Sequence, residues 1–348
     1  MVIRSKSNNL IELKSIYESH KPGLSATPGL SDCEINNNAN QMYKSNPTNP
    51  QTCQITMKVP EDSGDMQPPI LVHYEIHNFY QNYRTYFNSY DQNQLFGSLT
   101  QDIVAADACK PLNFIGEGED RVQINPCGLI ANTLFNDVIT LESIVDKDGN
   151  VIEDAPMVES GIAWESDIEW KYRQPDGFKY EQCTSCDECD CTEGDGDEWS
   201  CNEPYVDQDG QCFRYYYPND DTTQYLYETY PMMISPLEGV LNEHFIVWMR
   251  TAALPNFRKL YGYIEQPIPA GATLTFNVQA NWVVERLEGA KALVVSNNYI
   301  FGGKNHWLGT LFIVVGGVAA CLGALFLAKD YLAPRKLGDR MYLKHKVE

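Results

Sequence analysis

Apolar and polar residues alternate in several short stretches of this chain, and a period of two predicts β-strands. Ile55, Met57 and Val59 form one run and Ile70, Val72, Tyr74 and Ile76 another. Gly64 lies in the polar stretch between them, so the two are expected to pair as a half-buried antiparallel hairpin. The period then changes. Phe79, Tyr83, Tyr86 and Tyr90 recur at spacings of four, three and four, with Tyr80 and Phe87 beside them, which predicts a helix with an aromatic core face. Val138–Val145 and Val151–Ile152 flank Asp146-Lys147-Asp148-Gly149-Asn150 as strands flank a hairpin turn. Further strands are predicted over Phe245–Met249, over the alternating Leu274, Phe276, Val278 and Ala280, and over Ala292–Val295. Residues 22–50 are rich in Pro, Gly and Asn without periodicity and read as a loop-rich arm. Strands spread along the chain with few long helical patterns predict a mainly β fold, an antiparallel β-sandwich carrying short helices.

One segment breaks this picture. Leu308–Ala328 holds 21 residues without a charge, which as a helix spans roughly the 30 Å hydrocarbon core of a bilayer. The tail, residues 329–348, carries Lys329, Arg335, Lys336, Arg340, Lys344 and Lys346, and the positive-inside rule places it in the cytosol. Residues 1–307 are then a lumenal or extracellular ectodomain. They hold the acidic excess of a chain whose formal net charge is −21. Such a surface has no basic stripe to displace counterions from phosphates, so nucleic acid is excluded as a partner. Export is not explained by the start, Met1-Val2-Ile3-Arg4-Ser5-Lys6, which has neither a signal peptide nor a spanning helix. The expectation is that a first, N-terminal transmembrane helix is missing from this sequence.

Ten of the eleven cysteines precede the membrane segment, an even number that reads as disulfides in an exported domain. Cys33 with Cys53 and Cys109 with Cys127 are expected pairs. Residues 183–212 form an acidic insertion with Cys183, Cys186, Cys189, Cys191, Cys201 and Cys212 and no Lys or Arg. Three disulfides fit this stretch better than a zinc cluster, because surrounding carboxylates raise thiol pKa values. Weak calcium binding by Asp195, Asp197, Asp207 and Asp209 is the second alternative, though neither acidic run matches a full calcium loop.

No catalytic constellation, cofactor motif or metal motif emerges. Gly303-Lys304 lacks the flanking residues of a phosphate loop, and Asp146-Lys147-Asp148-Gly149 lacks the Thr of the phosphorylated Asp-Lys-Thr-Gly of P-type pumps. His73 and His77 alone are too few for a metal site, and no Asn-x-Ser/Thr acceptor occurs. Inside the apolar segment, Gly316, Ala319, Ala320 and Gly323 line one helix face, where small side chains let a partner helix approach closely.

Several segments together resemble the ligand-effect-modulator family, the beta subunits of type-IV P-type ATPases that flip phospholipids. The first runs Asn78-Phe79-Tyr80-Gln81-Asn82 with Arg84 and Tyr86, and the second runs from Pro126-Cys127-Gly128 to Phe135-Asn136-Asp137. Gly161-Ile162-Ala163-Trp164 follows, then Phe245 to Tyr261 with Trp248, Arg250, Pro255, Arg258 and Lys259, and finally Gly302-Gly303-Lys304-Asn305. The blocks stand in family order over roughly residues 8 to 328. The resemblance implies two spanning helices around a β-sandwich-like ectodomain, and a non-catalytic role in the folding, export and lipid transport of a pump. It also implies a hetero-oligomer with the ATPase subunit, in contact with membrane lipid, in the endoplasmic reticulum, Golgi, endosome or plasma membrane. The insertion at 183–212 has no counterpart in that pattern. Physically the motif residues read as scaffold, with Arg250, Arg258 and Lys259 expected to brace carboxylates rather than lipid headgroups. A competing reading is a cell-surface recognition protein that binds ligand through the acidic insertion.

Overall fold

The computed structural model describes residues 10–27, 33, 51–99, 108–116, 121–186, 189, 204–207, 209–297 and 306–333. The chain divides into two units, one of Glu12–Ser296 and one of Met1–Ile11 with Asn297–Glu348. In chain order the strands are β1 (Glu12–Ser19), β2 (Gln51–Lys58), β3 (Ile70–His77), β4 (Phe114–Ile115), β5 (Val122–Asn125), β6 (Val138–Val145) and β7 (Met157–Val158). They continue as β8 (Lys179–Gln182), β9 (Tyr205–Val206), β10 (Cys212–Tyr216), β11 (Thr223–Tyr225), β12 (Phe257–Ile264), β13 (Thr273–Ala280) and β14 (Ala290–Asn297). Short helices α1 (Arg84–Phe87), α2 (Gln92–Leu95), α3 (Glu165–Lys171), α4 (Leu226–Thr229) and α5 (Glu243–Met249) lie among them.

The two larger sheets run β1-β14-β3-β12-β7 and β2-β13-β6. Alternation explains them: β13 buries Leu274, Phe276, Val278 and Ala280 and turns Thr273, Thr275, Asn277 and Gln279 away. In β14, by contrast, all but one residue is buried, as expected of an inner strand covered on both faces. The sheets meet through their inner side chains. Tyr261 on β12 accepts a hydrogen bond from the Ile139 amide on β6 at 3.0 Å, and Tyr74 on β3 stacks on Phe135 just before β6 at 3.9 Å. This is the mainly β, sandwich-like architecture expected, with antiparallel ladders in both large sheets. Two three-stranded sheets, β11-β5-β4 and β8-β10-β9, are added, the first with a parallel β5–β11 pair.

Three local expectations are corrected. First, β2 and β3 do not pair with each other; β2 pairs with β13 and β3 with β12 and β14. The segment between them is too long for a tight hairpin, and its Met66 bridges Ile268 on the way from one sheet to the other. Second, the aromatic run is a single helical turn, α1. Tyr83 is extended (φ −67°, ψ 132°), so the helix starts only at Arg84 and ends at Phe87, with Phe79 and Tyr86 buried and Tyr83 exposed. Third, Phe245–Met249 is helical. The Asn242 side chain accepts the Phe245 amide at 3.2 Å as an N-cap, and Phe245, Ile246 and Trp248 form the buried face.

The Asp146–Asn150 stretch is the turn that was expected. The Asp146 carboxylate accepts the amides of Asp148 and Asn150 at 2.8 and 2.9 Å. Asp207 does the same for Asp209 and Gln211 at 3.0 and 2.7 Å. Disulfides join Cys33 to Cys53, Cys109 to Cys127, Cys183 to Cys189 and Cys186 to Cys212. Cys109, Cys127 and Ile124 form a small core beneath β5. Cys191, Cys201, Asp195 and Asp197 lie outside the described residues.

In the other unit, α6 (His306–Leu332) is a continuous helix of which Gly309–Leu332 is long and apolar enough to cross a membrane.

Candidate functional site

Family-motif residues converge on two places in the β unit. The first is a buried cluster around α5. Trp248 is fully enclosed and donates its indole N–H to the Ile130 carbonyl at 2.8 Å. Phe79 stacks on it at 6.0 Å and meets Tyr86 and Trp282 edge-on at 5.5 and 5.3 Å. The loop that delivers Phe79 is pinned by side-chain amides: Asn78 donates to the Leu287 carbonyl at 2.7 Å and Asn82 to the Ala253 carbonyl at 3.0 Å. Gln81 accepts the Ala252 amide at 2.8 Å. Asn tolerates the positive φ of +63° at position 78 better than other side chains. Asn78→Ala is therefore expected to lower stability by about 2 kcal/mol, from backbone strain and a lost hydrogen bond, while Asn78→Gly recovers the strain part. Urea denaturation of the full-length protein would measure both; equal loss in the two variants would refute the backbone explanation.

Around α5 the charged motif residues divide their tasks. Arg250 pairs with Asp167 on α3 at 2.5 Å, and this hydrogen bond holds the Asp167 carboxyl below the usual range. Arg258 bridges Glu75 at 2.6 Å and Glu12 at 2.8 Å, and Lys14 joins Glu75 at 2.6 Å, forming a network on the outer face of the five-stranded sheet. Lys259 departs from the expectation of a carboxylate partner. Its ammonium donates to the carbonyls of Val247, Trp248 and Arg250 at 2.8, 3.0 and 2.5 Å, closing the C-terminal end of α5. Burial pulls its pKa down to about 7, with the nearby Arg250 adding to the effect. Glu243, at the other end of α5, accepts the amides of Gly161 and Ala163 at 2.8 Å each, which gives the Gly161–Trp164 motif its place.

The second place is a node that sequence reading placed only in part. Lys291 on β14 is completely buried, with its ammonium 2.7 Å from Asp137, 2.8 Å from Glu18 and 2.6 Å from the Trp282 carbonyl. Asp137 also accepts the amides of Asn281 and Trp282 at 2.6 Å each and the Tyr17 hydroxyl at 2.8 Å. Asn136 receives the Asn281 side-chain amide on its carbonyl at 3.0 Å. Asp137 and Asn136 were visible as motif residues. Lys291 and Glu18 were not; the signal that could have found them is a lysine inside an otherwise apolar strand run, which demands a buried counter-charge.

The motif thus builds rigidity, and two other features offer contact. On the β unit several large apolar side chains are exposed, among them Tyr80, Tyr83 and Phe87 around Arg84, and Leu254. Trp164 is 66 % exposed with the Arg250 guanidinium 5.1 Å from its ring, and Trp170 is 72 % exposed on α3. Phe96 is exposed as well, with Arg173 at 5.5 Å. Exposed Trp, Tyr and Arg together are the composition of interaction hot spots. On α6, Gly316, Ala319, Ala320 and Gly323 are all exposed, and a Cβ added to either glycine would meet nothing within 4 Å among the described residues. None of these groups forms a catalytic arrangement, and among the described residues no cluster of His, Cys, Asp and Glu has the geometry of a metal site.

Residues 3–336 match the LEM3 (ligand-effect modulator 3) family / CDC50 family. Among similar proteins, cell cycle control protein 50B of Homo sapiens is 32% identical over 327 residues, covering 92% of this chain and 80% of that protein. ALA-interacting subunit 3 of Arabidopsis thaliana is 33% identical over 296 residues, covering 84% and 68%. The phospholipid-transporting ATPase accessory subunit CDC50 of Chaetomium thermophilum is 30% identical over 300 residues, covering 85% and 64%.

Proposed function

The chain belongs to the LEM3/CDC50 family, and from that premise we propose that it is the non-catalytic accessory subunit of a phospholipid-transporting P-type ATPase. The observation that carries this reading is the family match over residues 3–336, which takes in the sheets, the buried motif clusters and the apolar helix α6 together. In this role the partner performs the ATP chemistry, and the accessory subunit is required for the partner's folding, export and transport. Residues 1–307 face the lumen or exterior, 308–328 span the bilayer and 329–348 lie in the cytosol.

Association in this reading uses both contact features. Inside the bilayer, where lipid gives no hydrophobic drive, close packing on the Gly316–Gly323 face supplies the van der Waals contact. Outside it, the Trp164 and Trp170 surface supplies aromatic anchors. A subunit bound this way stabilises whichever partner conformations it contacts best, and a coupling of about 1–3 kcal/mol is enough to alter turnover.

The test is affinity isolation of the tagged full-length protein in mild detergent from its native cells, with identification of the large co-purifying chain. A P-type ATPase is expected in stoichiometric yield. Gly316→Leu with Gly323→Leu, and separately Trp164→Ala with Trp170→Ala, are each expected to cut that yield roughly tenfold or more. Both pairs are exposed, so the disulfides and thermal stability stay as in the wild type. Isolation without any P-type ATPase would overturn the proposal.

A further inference from the structure

The Lys291 node contains more negative than positive charge. Two enclosed carboxylates, Glu18 and Asp137, face one ammonium; Tyr17 and Tyr261 against them are neutral phenols, and His20 lies beside Glu18. Asp137 is satisfied by two backbone amides and the Tyr17 hydroxyl. Glu18 is not. Its Oε2 lies 2.8 Å from the Lys291 ammonium as an ion pair, but neither Oε2 nor Oε1 has a well-aligned hydrogen-bond partner, and facing Oε1 at 3.4 Å is His20 Nε2, which is likewise enclosed without one. A buried carboxylate in excess of the nearby positive charge, with its Oε1 facing an unsatisfied ring nitrogen, is the arrangement that one additional proton completes.

We propose that Glu18, facing His20, is a buried proton-binding site that fastens the β1 edge strand to the Lys291 node more firmly at acidic than at neutral pH. With the proton on Glu18 the carboxylates and the Lys291 ammonium sum to zero charge, and the Glu18 hydroxyl can donate to His20 Nε2. Without it, β1 carries an uncompensated carboxylate into the core. Geometry sets the location: Tyr17, Glu18 and His20 are at the end of β1, where Glu18 registers with Lys291 and the His20 amide bonds the Gly289 carbonyl at 2.9 Å. Burial raises the Glu18 pKa above its ordinary 4.5 despite the opposing pull of Lys291. A raised carboxyl pKa stabilises the fold below the ordinary value and loses that contribution as pH climbs through the raised one.

The experiment compares full-length wild type with Glu18→Gln, which mimics the protonated acid, by thermal unfolding in detergent at about pH 4 and about pH 8. Other groups titrate in both proteins, so the informative quantity is the difference between them. The variant is expected to lose less stability on going to the higher pH, narrowing the Tm change by roughly 2 °C or more. An unchanged Tm difference would overturn the proposal. If Glu18→Gln does not fold, hydrogen exchange in wild-type peptides covering residues 10–19 decides, after correction for intrinsic exchange rates. Greater protection at the lower pH supports the site, and equal or lesser protection refutes it.

Discussion

Replacing Lys291 with Ala is expected to cost about 3–5 kcal/mol, enough to leave little folded protein, because it strands two buried carboxylates. Glu18 and Asp137 lie 2.8 and 2.7 Å from the lost ammonium, and both side chains are completely enclosed. The Trp282 carbonyl loses its donor as well. The urea midpoint of the full-length protein measures the loss, and a midpoint within error of wild type would sink the idea that the node is paired in the folded state. Removing charge from both sides, as in Lys291→Met with Glu18→Gln, is expected to return part of the stability, since the penalty comes from the imbalance more than from the missing ion pair.

Trp248→Ala should be comparably damaging, at about 3–5 kcal/mol, through the cavity it leaves and the contacts it removes. The indole is where the buried aromatics meet. It carries the stack with Phe79, an edge contact with Trp282 at 6.2 Å, the bond to the Ile130 carbonyl and the face over which the Lys259 ammonium sits at 5.5 Å. Trp248→Phe keeps most of the apolar volume and is expected to cost only about 1–3 kcal/mol, largely from the unpaired Ile130 carbonyl. If alanine and phenylalanine were equally tolerated in denaturation, the cluster would not be the support described above.

How far the sequence foretold this arrangement depends on the kind of interaction. Period-two alternation located β2, β3 and β13 because each has one face in the core, and the apolar run of α6 stood out for the same local reason. Partner choice was less legible. β2 and β3 look alike as strands, and their membership of opposite sheets is decided by contacts with β12 and β13, far along the chain. Phe245–Met249 is apolar enough for either a strand or a buried helix, and the Asn242 cap and Lys259 at the other end settle it as α5. The charged supports were hardest to see. Lys259 looks like a surface lysine by type, and only three-dimensional neighbours reveal that it closes a helix, while Lys291 shows only as a charge in an apolar strand, with its two carboxylate partners far away in the chain. The motif residues Asn78, Asn82 and Asn136 became intelligible as pins between loops only when their distant partners were known.

The bridges Cys183–Cys189 and Cys186–Cys212 anchor one root of the acidic insertion to β10, while Tyr205–Val206 fixes the other root on the same strand. Both ends of the segment between Cys189 and Pro204 are therefore attached to one small platform, and the entropy of spanning them changes only slowly with length. A change in the length of that stretch is therefore expected to leave the two larger sheets undisturbed, because its cost is confined to the span between two points on β10 and its neighbours.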